Sequence, residues 1–339
     1  MALPTRWKKE PGARLEGARA LDRSKVQAPG VVRTPDGRFR LFYTAVGPGR
    51  PFRACQGYIL SAVSEDGLAF TVEEGIRVAP DPALAQMSLR VLAPSVAALP
   101  GGGWRMYFEA RGTATLPTAI MSAVSDDQLN WRVEAGLRMT APGGVGAPRF
   151  LRSAGEGGRL FCFESVYAGG DPSGGARLGT QVISAVSADG STFMREPGLR
   201  LGDRHDALDS AGITAAEVVA GSPWRMVFSA WQGVPAGTMV PAHPSADAAV
   251  AASADFAAAS IAADMAGYRS RILMASSADG INWERDGVII DGDGYGGTDI
   301  DAVHAEDMSL VALDDGRRRM YYAACDAHGV WRIASAISD

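Results

Sequence analysis

The stretch SAVSEDGLAF, residues 61–70, recurs as SAVSDDQLNW at 122–131, SAVSADGSTF at 184–193 and ASSADGINW at 275–283. Half a copy, SAISD at 335–339, ends the sequence. Measured on the second serine (Ser64, Ser125, Ser187, Ser277 and Ser338), the steps are 61, 62, 90 and 61 residues. A fixed period of this size is the mark of a repeat architecture, and the one long step places an insertion in a single repeat. The Ser-x-Asp-Gly core reads as a tight turn, with Asp and Ser bonding back to the backbone and Gly taking positive φ. The Phe or Trp that follows (Phe70, Trp131, Phe193, Trp283) is expected to pack between repeats.

Working outward, each copy is preceded by an apolar stretch, in most units opened by Arg: RLFY at 40–43, RMYF at 105–108, LFCF at 160–163, RMVF at 225–228 and RMYY at 319–322. Before that lies a small-residue stretch, as in APGV at 28–31 and APSV at 93–96, and after the refrain one such as VEAGLR at 133–138. These are strand-length runs separated by Gly, Asp and Pro turns. Four strands per unit and five units predict an all-β fold, a five-bladed β-propeller. The last unit stops before its fourth strand, while WKKEPGARL at 7–15 has the pattern of that missing strand. The N-terminal strand is therefore expected to complete the last blade and close the ring, because closure protects sheet edges.

The expectation is one domain over residues 1–339. Hydrophobic residues make up 47% and charged residues 21%, ordinary values for a globular protein. A net charge of −5 argues against general nucleic-acid binding. No apolar run has the length of a membrane span, and MALPTRWKKEPG has no signal-peptide core, so the reading is a cytoplasmic protein with no membrane partner. The three cysteines, Cys55, Cys162 and Cys325, lack metal-type spacing. The insertion, 233–269, is Ala-dense between Ser245 as N-cap and Gly267 as stop. It reads as a helix serving as a lid or as a homodimer contact.

In a four-stranded blade the starts of the innermost strands and the loops after the second strands share one face of the channel. The first group holds Lys25, Arg90, Arg149 and the run 299–307, which contains Asp301, His304, Glu306 and Asp307. The second holds Glu109, Glu164, Tyr167 and Trp231, with Glu109 and Glu164 at matching places in their repeats. His304, Glu306, Asp307 and Glu164 are the candidate catalytic groups, since a His with carboxylates can move protons or hold a divalent cation near His304 and Glu306. Lys25, Arg90, Glu109, Arg149, Tyr167, Trp231 and Asp301 are the candidate substrate contacts. No dedicated metal site or cofactor motif is read. His205-Asp206 reaches the same face, and the run DGDGYGG at 291–297, around Tyr295, reads as a flexible loop.

The refrain, followed by a strand of the form x-x-E-x-G, resembles the five-bladed propellers of the glycoside hydrolases, the group containing families 32, 43, 62, 68 and 130. The resemblance covers nearly the whole chain. For family 43 it implies a base Asp, a modulating Asp and an acid Glu at the starts of three innermost strands. Those places here read Gln27-Ala28-Pro29, Ala93-Pro94-Ser95 and Gly146-Ala147-Pro148, without the carboxylates. Acids stand instead in the fourth and fifth repeats (Glu217, Asp301, Glu306, Asp307). The expected function is a divergent carbohydrate-active enzyme, hydrolase or phosphorylase, acting on a small glycoside in the channel. The alternatives are a lyase or cyclase on the same scaffold, working on a small metabolite, and a noncatalytic ligand-binding propeller.

Overall fold

The computed structural model describes residues 3–46, 57–112, 116–153, 155–170, 177–202, 208–240, 260–261 and 263–339. Two short strands, β1 (Trp7–Lys9) and β2 (Leu15–Glu16), open the chain. A first unit pairs β3 (Lys25–Arg33), β4 (Phe39–Val46), β5 (Tyr58–Ser64) and β6 (Thr71–Val72) in that order. A second pairs β7 (Arg90–Ala98), β8 (Trp104–Arg111), β9 (Ala119–Ser125) and β10 (Arg132–Val133), with β11 (Met139–Thr140) also on β9. A third pairs β12 (Val145–Arg152), β13 (Gly158–Tyr167), β14 (Arg177–Ser187) and β15 (Met194–Arg195). The fourth set is β16 (Gly212–Val219), β17 (Trp224–Gly233), β18 (Tyr268–Ser277) and β19 (Glu284–Ile290); the fifth is β20 (His304–Ala312), β21 (Arg318–Cys325) and β22 (Trp331–Ser338). These last two sets form one nine-stranded sheet with β1 and β2, joined by the parallel bridge Ser270↔His304. The fold is all-β.

The N-terminal strand does complete the last unit. β1 runs antiparallel to β22 with Trp7↔Ser338, Lys8↔Ile337 and Lys9↔Ala336 in register. The first strands of the units pack in a closed cycle, β3 on β7, β7 on β12, β12 on β16, β16 on β20 and β20 back on β3.

The refrain is the clamp between units. In its first copy Asp66 accepts from the backbone N–H of Leu68 and Ala69 and from the Ser64 hydroxyl, and these bonds lower its pKa to about 2. The turn glycine then meets the neighbouring unit closely. A Cβ on Gly190, at φ +68°, would stand 2.6 Å from Arg105 Nη1 and 2.9 Å from the Tyr107 hydroxyl. Tyr107 donates to Gly190 O at 2.7 Å, and Tyr321 to Gly67 O at 2.7 Å. The Arg at the head of each second strand does the rest. Arg105 holds Glu134 of its own unit and donates to Asp189 O of the next, while Ser122 donates to the same Glu134. Arg40 and Glu73, Arg159 and Glu196, and Arg319 and Glu10 repeat the arrangement. The second copy has Gln128 where the others have Gly. Gln128 keeps the left-handed conformation (φ 64°), and its buried side chain accepts from Arg40 Nη1 at 2.7 Å. The following aromatics pack across units as expected, Trp131 edge-on to Phe42 at 5.7 Å and Phe193 edge-on to Tyr107 at 5.7 Å.

The helix expected within 233–269 lies mostly outside the described residues. Within the described part, Ser260, Ile261, Ala263 and Asp264 have helical backbone. The run 291–297 differs from the flexible loop expected. Tyr295 is buried, donating to Tyr268 O at 2.7 Å and accepting from Gly267 N at 3.3 Å, so it pins the base of the insertion.

The seam between the chain ends depends on one carboxylate. Glu10 takes Nε and Nη2 of Arg319, at 2.8 and 3.0 Å, and the Ser335 hydroxyl at 2.7 Å. Glu10→Ala leaves a largely buried arginine without its carboxylate and is expected to lower unfolding free energy by about 3 kcal/mol. Glu65→Ala, which removes an exposed carboxylate 3.8 Å from Arg38, is expected to change it by less than about 0.5 kcal/mol. Urea melts of the two variants check the contrast.

Candidate active site

The first strand of every unit breaks register at one level, at Gln27/Gly30, Leu92/Ser95, Gly146/Arg149, Ile213/Ala215 and Glu306/Ser309. In four of the five the bulge holds a non-glycine residue at positive φ: Ala28 (48°), Ala93 (52°), Ala147 (47°) and Asp307 (52°). Such backbone costs of order 1–3 kcal/mol and persists where surroundings hold it. The holding groups come from the preceding unit. Thr44 Oγ1 accepts from Ala93 N at 2.9 Å, Glu109 Oε2 from Ala147 N at 3.2 Å and Ser229 Oγ from Asp307 N at 3.2 Å. Of the four residues in this strained position, only Asp307 can ionise.

Asp307 stands beside Glu306, and the two titrate as a pair. Burial raises Glu306 well above the usual carboxylate range, the charge of Asp307 raises it further, and Lys25 opposes both. Asp307 is also raised by burial, against the pull of Arg149 and then Lys25. Two adjacent buried carboxyls cannot both ionise cheaply. Burial raises Glu306 the more strongly, and the Arg149 guanidinium opposes the rise at Asp307. Glu306 Oε2 is buried without a hydrogen-bond partner among the described residues, so the acid has a face not engaged by the protein. Lys25 is buried, its Nζ 2.6 Å from Asp264 Oδ2 and 4.3 Å from the centre of the Trp331 ring.

The remaining expected residues divide. Half-buried Arg90 stands against buried Glu109, Nη2 3.5 Å from Oε1, and burial raises the Glu109 carboxyl while Arg90 lowers it. Asp307 is close enough to Glu109 to raise it as well. Arg149 is buried at the waist of the channel. Trp231 lies 4.7 Å from the His304 ring, and Tyr167 is half-buried at the end of β13.

Three of them have other duties. His304 is fully buried between Trp231 and Trp331, the latter stacked at 5.3 Å. Its Nε2 is 2.9 Å from Asp264 O, which can only accept, so Nε2 carries the hydrogen and Nδ1 accepts from Ser270 at 3.0 Å. Both nitrogens are spent, leaving none for catalysis or a cation. Glu164 does not match Glu109. Glu109 pairs with Leu92 and Phe163 with Gly146, so Phe163 is the counterpart and Glu164 is one residue further on. A shift of one residue turns a strand side chain to the other face. There Glu164 holds Arg195 at 2.8 and 3.0 Å and Gln181 at 3.1 Å. Asp301 belongs to the seam, accepting from Lys9 Nζ at 2.7 Å and Tyr322 Oη at 2.9 Å. His205 and Asp206 lie outside the described residues. Among the described residues no three His, Cys, Asp or Glu side chains gather in a group able to hold a metal ion.

No protein-family model matches the chain, and no curated protein matches it. Solved structures do. A glycoside hydrolase matches 98% of this chain over 92% of its own, at 15% identity and a TM-score of 0.68. The chain has the fold of the propeller glycoside hydrolases. An α-L-arabinofuranosidase from Lactobacillus brevis matches 95% of this chain over 94% of its own, with 13% identity and a TM-score of 0.61. An N-acetylgalactosamine deacetylase from F. plautii, solved in complex with blood group B trisaccharide, matches 98% over 95%, with 15% identity and a TM-score of 0.65. At these identities the fold is what is shared.

Burial lowers the His304 pKa to about 4, against an unperturbed value of about 6.5. The unfolded chain therefore takes up the proton first as pH falls. The stability present above pH of about 6.5 is lost between there and about 4, by roughly 3 kcal/mol from this group. His304→Gln is expected to flatten the pH dependence of unfolding free energy in that window, measured by urea melts at pH 6.5 and 4.5. An equal slope in both proteins would assign the loss to other groups.

Proposed function

We propose that the five units are the blades of one five-bladed propeller, and that the protein is a carbohydrate-active enzyme of hydrolase or phosphorylase type. Its substrate is a small glycoside entering where the innermost strands begin. Glu306 is the proton donor to the leaving oxygen, and Asp307 is the ionised partner that serves as base or as charge stabiliser. The observation that carries this reading is the pair itself: one carboxyl raised well above the usual range by burial, its neighbour held in a strained bulge that in three other units holds alanine. Carboxyls of opposed protonation are what glycosidic cleavage requires. Lys25 and Arg90 stand at the same mouth as cations for an anionic co-substrate. The C-terminal end of the insertion reaches Lys25 through Asp264.

The fold supports the sugar-directed reading through the glycosidases that share it. A structure from the GH130 family of mannoside phosphorylases, a family that contains glycoside hydrolases targeting β-1,2-mannosidic linkages in Candida mannan, matches 99% of this chain over 94% of its own, with 12% identity and a TM-score of 0.67. A second reading, acid–base chemistry on a bond other than the glycosidic one, is favoured by a specific observation. The places where family 43 would hold carboxylates read Gln27-Ala28-Pro29, Ala93-Pro94-Ser95 and Gly146-Ala147-Pro148, and a deacetylase shares the fold.

Glu306→Gln and Asp307→Asn are each expected to lower turnover by about a hundredfold or more, while unfolding midpoints stay near that of the unmodified protein. A panel of aryl glycosides, assayed with and without inorganic phosphate, measures the first. Thermal melts measure the second. Full activity of either variant on a glycoside that the protein cleaves would overturn the assignment. Cleavage of acyl or acetyl esters in place of every glycoside would establish the second reading.

A further inference from the structure

Below the carboxyl pair the first strands present a second level to the channel. Gly30, Ser95, Arg149, Glu217 and Ser309 face Phe42, Tyr107, Phe161, Val227 and Tyr321 respectively, so they are equivalent positions in the five units. Three of them accept a backbone N–H from the next unit: Ser95 from Phe150 at 3.0 Å, Ser309 from Val31 at 3.1 Å and Glu217 Oε1 from Leu310 at 3.0 Å. Arginine cannot accept, and Arg149 instead crosses the channel. Its Nε donates to Met308 O at 3.1 Å, Nη1 to Pro148 O at 2.9 Å and Nη2 to Pro29 O at 3.4 Å. Arg149 is thus a stopper, with Asp307 on one side and Glu217 on the other. On the Glu217 side lies a cavity of about 360 Å³, lined among others by Arg149, Arg318, Glu217, Ser95 and Ser309. It opens at the ends of the first strands, opposite the face where Lys25 and His304 stand.

The chamber is polar and cationic. Two guanidinium groups face a single carboxyl, the one that stands 3.5 Å from Arg149 Nε. Glu217 Oε2, 3.5 Å from Arg149 Nε, is buried with no hydrogen-bond partner among the described residues. We propose that this chamber is a second ligand site, which takes an oxyanion, phosphate or carboxylate, between Arg149, Arg318 and Glu217. Burial raises the Glu217 carboxyl, with Arg149 opposing, which weakens its repulsion of a bound anion. The volume is roughly that of a dozen waters at about 30 Å³ each, room for an organic molecule carrying the anion. The site does not depend on glycoside chemistry at the other mouth.

Calorimetric titration of the full chain with inorganic phosphate, and separately with acetate, tests the proposal and tells the two anions apart. Saturable binding of at least one is expected, weakened about tenfold or more by Arg318→Ala, partly restored by Arg318→Lys and unchanged by Glu306→Gln. Arg318 is at the rim, so its variants should fold, and a thermal melt verifies that they do. Absence of binding by both anions, or isotherms for both that Arg318→Ala leaves unchanged, would overturn the second site. The glycoside assay reads the other mouth separately, so either result can fail without the other.

Discussion

One carboxylate per unit, caught between an arginine and a serine, is the interaction on which the ring depends. Glu134 shows its form: both oxygens are held by Arg105, one also by Ser122, and the remaining arm of Arg105 reaches the turn carbonyl of the following unit. Intra-sheet order and inter-sheet docking therefore rest on the same guanidinium. An arginine suits this place because its planar fork serves a carboxylate and a carbonyl at once. The repeat period follows, since every component of the clamp must return at the same spacing.

That physics explains what could be read in advance. The clamp is made of adjacent or fixed-offset residues, so its refrain survives in the sequence and announces units, order and seam together. The bulge was less legible. Ala28-Pro29, Ala93-Pro94 and Ala147-Pro148 stand out as dipeptides, but their positive φ and the N–H caps from Thr44, Glu109 and Ser229 are contacts between units far apart in sequence. Asp307 has no following proline, which hides its kinship with the three alanines. Glu164 was misplaced by one residue because LFCFE carries an extra strand position that composition does not reveal. His304 looked like a proton carrier on residue type alone. Its two spent nitrogens depend on Ser270 and on an insertion residue, Asp264, whose location no local pattern gives. The level of Arg149 and Glu217 was missed for a similar reason: these residues occupy serine or glycine positions elsewhere in the repeat, and only the register makes the substitution visible.

The seam and the site share the fifth unit. Lys9 reaches Asp301 a few residues before His304, and Tyr322, which donates to Asp301, lies on the strand that pairs with the Glu306 segment. Closing the ring thus also fixes the entry of the strand that carries the carboxyl pair. A loosened N-terminal strand would be felt at the carboxyl pair before it was felt in the other units.

Arg149 gives the channel a topology. Arg149 bars the bore at its waist, so the chamber beside Glu217 is a blind well. A molecule that enters the chamber past Arg318 must leave it past Arg318 again. Long polymers could offer such a well only an end, never a middle.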